Sequence, residues 1–112
     1  MGKDKAELLQ GTLDLLVLKT VETMGPLHGW AIAKRIEQVA QDLLEMKYGT
    51  LYPALMRLEQ KGWISSEWGT SENNRRARFY SITKQGRKQL TREAENWEQM
   101  AAFITRVLGT SR

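Results

Sequence analysis

The chain contains no cysteine, which excludes disulfides, thiolate metal sites and a cysteine nucleophile. It has one histidine, His28, and no glycine-rich phosphate loop. No metal-ligand spacing appears, and neither zinc nor haem ligation has residues to build on. No run of about 18 apolar residues is long enough to span a bilayer. The opening Met1-Gly2-Lys3-Asp4-Lys5-Ala6 lacks the apolar stretch of a signal peptide, and Ala6 stands where a myristoylation signal needs Ser or Thr. A soluble, cytoplasmic protein without cofactor, metal or membrane association is expected.

Acid is missing from one long stretch. Residues 75 to 92 hold Arg75, Arg76, Arg78, Lys84, Arg87, Lys88 and Arg92 and no Asp or Glu. The rest of the chain carries more acid than base, although the net charge is +4. A concentrated positive block on a near-neutral body suits a polyanion-binding edge, and its plain alternative is a solvated charged face. At 112 residues and 41% hydrophobic content, one domain is expected. Its core is modest enough that a partner surface often completes it.

Periodicity orders the elements. Leu13, Leu16, Val17, Thr20, Val21 and Met24 give a first helix, with Thr12 as N-cap and Gly25-Pro26 as its stop. Leu8 and Leu9 precede it as a short extra turn. A second helix runs from Gly29 to Leu43 on an Ile32, Ile36, Val39, Leu43 stripe. Leu44 to Lys47 reads as a very short strand. A third helix starts near Gly49 or Thr50, because Pro53 belongs in a first turn. Its buried stripe is Leu51, Leu55 and Leu58, and Gly62 follows as the C′ residue. Two strands, Trp63–Trp68 and Arg76–Ile82, then flank the polar loop 69–74. Thr83 caps a last helix reaching Leu108, with 109–112 as a frayed tail.

Three helices, a hairpin and a long helix form the winged helix-turn-helix order, a mainly α fold with a small β-hairpin. Residues 1–82 make the DNA-binding part and 83–112 the dimerisation helix and tail, as one unit. In such a fold the third helix offers a slim polar face to the major groove. Here Thr50, Pro53, Ala54, Arg57 and Lys61 lie opposite the leucine stripe. Tyr48 and Tyr52 flank the helix start, where free N–H groups and the helix dipole favour phosphate. Arg75, Arg76 and Arg78 come off the wing. The DNA-contacting candidates are therefore Tyr48, Thr50, Tyr52, Arg57, Lys61, Arg75, Arg76 and Arg78. For Arg57 the alternative is pairing within its own helix, and for Tyr52 packing over the leucines.

On the last helix Leu90, Ala94, Trp97, Ala101, Ile104 and Leu108 are spaced 4, 3, 4, 3, 4. That heptad-like seam on about 25 residues, roughly 38 Å, outruns so small a domain and points to a homodimer. Trp97 at mid-seam is either interface core or part of a twofold pocket for a planar aromatic ligand. His28 suits a cap more than catalysis, and Asp14, Glu22, Glu93, Glu95 and Glu98 read as outward helix residues. An enzyme has no support. A protein-binding winged helix is the remaining alternative, against which the acid-free stretch argues.

The run Gly25-Pro-Leu-His-Gly-Trp-Ala-Ile, then Tyr48-Gly-Thr-Leu-Tyr-Pro-Ala-Leu, Arg57-Leu-Glu, Gly62-Trp-Ile and Arg75-Arg-Ala-Arg-Phe-Tyr-Ser-Ile-Thr resembles the PadR family of transcriptional regulators. The resemblance covers about residues 7 to 108 and matches the short subgroup with a single C-terminal helix. It implies a winged helix-turn-helix dimerised through that helix, usually a repressor. Thr50 and Tyr52 would fall at the start of the recognition helix, and Arg75 and Arg76 on the wing. Some short members bind flat aromatic compounds at a position like that of Trp97.

Overall fold

The computed structural model describes residues 10–41 and 43–109. Its elements are α1 (Gln10–Met24), β1 (Leu27–His28), α2 (Gly29–Ala40), α3 (Tyr48–Gln60), β2 (Ile64–Thr70), β3 (Arg76–Ile82) and α4 (Lys84–Leu108). The strands form one antiparallel sheet in the order β1-β3-β2. This is the mainly α winged helix-turn-helix expected from the residue pattern. Among the described residues no helix is long and apolar enough to cross a membrane.

Helix α1 buries Leu13, Val17, Leu18 and Val21 against Ile32 and Ile36 of α2 and Leu51, Leu55 and Leu58 of α3. Thr12 lies inside α1 rather than capping it, because the helix begins at least as early as Gln10. The Leu8/Leu9 turn falls outside the described residues. Pro26, which has no N–H to continue the ladder, follows the end of α1. Its neighbours Leu27 and His28 pair with Tyr80 and Phe79. This two-residue strand is too short to show any alternation in sequence.

Helix α2 starts where the His28 imidazole Nδ1 accepts the Ala31 N–H, at 3.4 Å. It ends at Ala40, since Gln41 takes a left-handed conformation (φ 47°). The predicted stripe therefore stops early, leaving Val39 and Leu43 exposed. Residues 44–47 form no strand. The Met46 N–H donates to Glu37 Oε2 at 2.7 Å, so its backbone donor is satisfied without a ladder.

Helix α3 begins one residue before the expected start, which puts Pro53 in its second turn. Proline there forgoes one i→i−4 bond, and the exposed ring meets solvent. The helix closes with a Schellman motif. Trp63 N–H donates to Leu58 O, and Gly62 N–H to Glu59 O, both at 3.0 Å. Gly62 sits at φ 78°, a conformation that costs glycine nothing.

Thr83 ties the next junction together. Its hydroxyl donates to the Gly62 carbonyl at 2.6 Å and accepts the Gly86 N–H at 3.0 Å, capping α4. The first turns of α4 pack on α1, Glu95 and Glu98 still line the groove between the two helices, and beyond them the helix is exposed except at half-buried Ala101. The radius of gyration is 15.5 Å, against roughly 13 Å for a compact domain of this size. The projecting helix accounts for the excess. Gly109 closes it in the left-handed region, and residues 110–112 of the expected tail fall outside the described chain.

Candidate nucleic-acid interface

Helix α3 presents its N-terminus without a side-chain cap, because the N-cap Lys47 makes no such bond. The N–H groups of Tyr48 and Gly49 are thus left to solvent or to an anion, whereas Thr50 N–H donates to Lys47 O at 3.0 Å. Tyr48, Thr50 and Tyr52 cluster at this end and are exposed. The two tyrosine rings lie 5.5 Å apart at 46°. Tyr52 reaches across to the start of α2, where its hydroxyl sits so close to Gly29 that a Cβ there would come within 2.5 Å of it. Burial, then repulsion from Tyr48, pushes the Tyr52 hydroxyl above its usual pKa. Tyr80 is raised by burial and by Glu59, against an opposing effect of Arg78. At neutral pH Tyr52 therefore keeps its proton and can donate it to phosphate.

The wing is β2 and β3, paired in the register Trp68↔Arg78 and Thr70↔Arg76. Alternation then places Ser66, Trp68 and Thr70 on one face with Tyr80, Arg78 and Arg76. That face and the α2–α3 surface enclose an open cleft lined by His28, Trp30, Tyr52, Trp68, Arg75, Arg76 and Arg78, among others. Asn74 turns the wing tip with φ 61°. Asn74 N–H donates to Ser71 O at 2.9 Å, and Ser71 N–H to Arg75 O at 2.8 Å. Among the described residues Arg75 and Arg76 have no carboxylate partner, whereas Arg78 faces Glu59 at 3.9 Å.

Three of the expected DNA-facing residues are repositioned. Arg57 turns away from the polar face of α3, and its Nη2 binds Asp14 Oδ1 of α1 at 2.5 Å. Asp14, read as an outward residue, is in fact buried, with its side chain 8% exposed against 27% for Arg57. The carboxylate offers a charge partner where α1 crosses α3, so the guanidinium folds inward. Ala54, also assigned to the outer face, is fully buried. Lys61 lies at the far end of α3, roughly 16 Å along the axis from Thr50. There its ammonium rests 4.8 Å from the Trp63 ring centroid. The structure therefore brings Tyr52 into one cleft with Arg75, Arg76 and Arg78, with Tyr48 beside Tyr52 and Thr50 exposed on the same first turn of α3; Arg57 and Lys61 are turned to other partners. Trp30 and Trp68 were missed. Only strand register reveals that Trp68 shares a face with Arg76 and Arg78.

The seam on α4 divides as well. Leu90, expected at a dimer interface, is 5% exposed and belongs to the core of its own chain. Ala94 and Ala101 are half-buried, while Trp97, Ile104 and Leu108 face solvent. Met100, Phe103 and Val107, outside the expected seam, are exposed beside them. Among the described residues no group of three or more His, Cys, Asp or Glu is arranged to hold a metal ion.

A helix-turn-helix with an arginine-bearing wing defines the winged-helix class of DNA-binding proteins. The model of the "Transcriptional regulator PadR-like family" matches residues 17–92, and the chain belongs to that family. It is similar to a transcriptional regulator from Clostridium thermocellum, at 33% identity and TM-score 0.77, over 87% of this chain and 90% of that one. It is also similar to a PadR family transcriptional regulator from Eggerthella lenta, at 27% identity and TM-score 0.77, over 91% and 86%. A PadR-like transcriptional regulator from Bacillus cereus shares the fold, with TM-score 0.79 over 95% of this chain and all of that one, at 19% identity. The chain is a transcriptional regulator that binds DNA, not an enzyme.

Proposed function

We propose that the chain acts in the cytoplasm as a homodimeric repressor of a pseudo-palindromic operator. The observation carrying this reading is the wing tip, where Arg75 and Arg76 have no carboxylate partner among the described residues and line one cleft with Tyr52 of α3. Arginines left without carboxylates on a folded surface keep their full charge for phosphate. Twofold protein symmetry would set half-sites about one turn, roughly 34–36 Å, apart. Repression follows from occupying an operator that overlaps a promoter. Fragments bound from the source genome would identify that operator, and reporter expression with and without the protein gives the sign of regulation. Replacing both Arg75 and Arg76 with alanine should weaken binding to all sequences. The slope of log K against log salt should fall by about one unit for each phosphate no longer neutralised, summed over both subunits. An unchanged slope would remove the wing from the interface.

A second role belongs to Trp97, whose ring is half exposed on the apolar strip of α4 while Glu95 and Glu98 rim the adjoining α1–α4 groove. Two such indoles facing across a twofold axis would sandwich a planar, preferably cationic ligand. A ligand wedged there would change DNA affinity by its differential binding to the two helix arrangements. Quenching of tryptophan fluorescence by planar dyes should disappear in Trp97→Ala. Quenching of equal size in the variant would place the dye elsewhere.

A further inference from the structure

We propose that Trp68 is a positioning residue that registers the DNA-contacting Arg76 to the recognition helix α3. The proposal rests on the wing reading above and deepens it by separating the roles of the two strand arginines. Arg78 is fastened. Its Nε donates to Ser66 Oγ at 3.0 Å, and Ser66 Oγ donates to Glu59 Oε2 of α3 at 2.8 Å. Arg76 has no hydrogen-bonding or ionic partner of this kind among the described residues; its guanidinium lies 4.7 Å from the Trp68 ring centroid. The Arg78 guanidinium lies 5.0 Å from the same centroid. One indole thus joins an arginine anchored to α3 with one free to meet DNA.

The arrangement has a physical consequence. A free arginine samples many rotamers, and ordering it on binding costs affinity. Stacking on an indole restricts the guanidinium plane while leaving its N–H fork available, since cation–π contact uses the face and not the edge. Trp68 itself is 55% exposed, so little core packing explains a tryptophan at this position. Both strand arginines lie over its large ring.

The test is a double-mutant cycle on Trp68 and Arg76, read by duplex binding at fixed salt, with Trp68→Phe and Trp68→Leu as companions. Trp68→Ala should weaken binding by the dimer about five- to twenty-fold, because Arg76 must then be ordered on binding at both sites. In an Arg76→Ala background the same change should cost no more than about twofold. Trp68→Phe, which keeps a π face, should stay within about threefold of the wild type, whereas Trp68→Leu, which keeps only bulk, should resemble Trp68→Ala. Equal losses in both backgrounds, or equal binding by the Phe and Leu variants, would overturn the proposal and leave the wing reading standing. Failure of the wild type to bind any duplex at low salt would overturn both.

Discussion

Replacing Asp14 with alanine is expected to destabilise the fold by about 2–4 kcal/mol, lowering the melting temperature by roughly 10–20 °C. The buried carboxylate is the only ionic partner of Arg57 among the described residues, and Arg57 Nε is already buried without a hydrogen-bond partner. Removing Asp14 strands a charged guanidinium against the apolar crossing of α1 and α3. Breaking a buried pair from one side costs about 3–5 kcal/mol, and the quarter-exposed Arg57 side chain justifies the lower figure. Changing both partners to apolar residues, Asp14→Leu with Arg57→Met, should recover most of the loss, because no charge is then left unpaired. Thermal melting followed by circular dichroism decides the matter. An Asp14→Ala protein melting within about 3 °C of the wild type would mean that water already screens the pair.

That pair also marks where sequence stops being informative. The leucines of α3 and the valines and leucines of α1 repeat at helical spacing, and the buried core follows them. A charged residue inside such a helix reads as outward by default. Only the approach of Arg57, 43 residues away, makes Asp14 an inward residue. The short strand failed for a related reason. Leu27 and His28 become β1 because β3 passes beside them, while Met46 spends its N–H on a side chain. The wing strands and the terminal helix were legible because each spans enough residues for alternation or a heptad to declare itself. The site was legible in its composition and illegible in its pairing. Arg75, Arg76 and Arg78 look alike in sequence, and only the register and Glu59 distinguish the anchored one from the free ones. On α4 the apolar period is continuous, so it hides the point where the helix changes neighbours. Leu90 serves the protomer's own core and Ile104 faces solvent, in the same phase of one stripe.

That division yields the largest effect expected on DNA binding. Ile104→Glu should leave the protomer folded, convert a dimer into monomers at micromolar concentration, and weaken operator binding by more than about a hundredfold. Trp97, Met100, Phe103, Ile104, Val107 and Leu108 are all between 46% and 69% exposed. They cluster on one side of a helix that has already left its domain. Covering them with a second copy removes apolar surface at about 25 cal/mol per Å². A carboxylate at position 104 would have to be desolvated in the middle of that contact, at a cost of several kcal/mol. Two half-sites bound by linked subunits gain from effective concentration, and a monomer forfeits that gain entirely. Leu90→Glu is the informative companion. The two positions share a stripe, yet Leu90 is core, so its glutamate should unfold the protomer rather than dissociate a pair. Sedimentation with circular dichroism separates the outcomes: Ile104→Glu should run as a monomer that keeps its helical signal, and Leu90→Glu should lose that signal. A wild-type chain that sediments as a monomer at micromolar concentration, or an Ile104→Glu variant that stays dimeric, would mean that this face of α4 is covered by something other than a second copy.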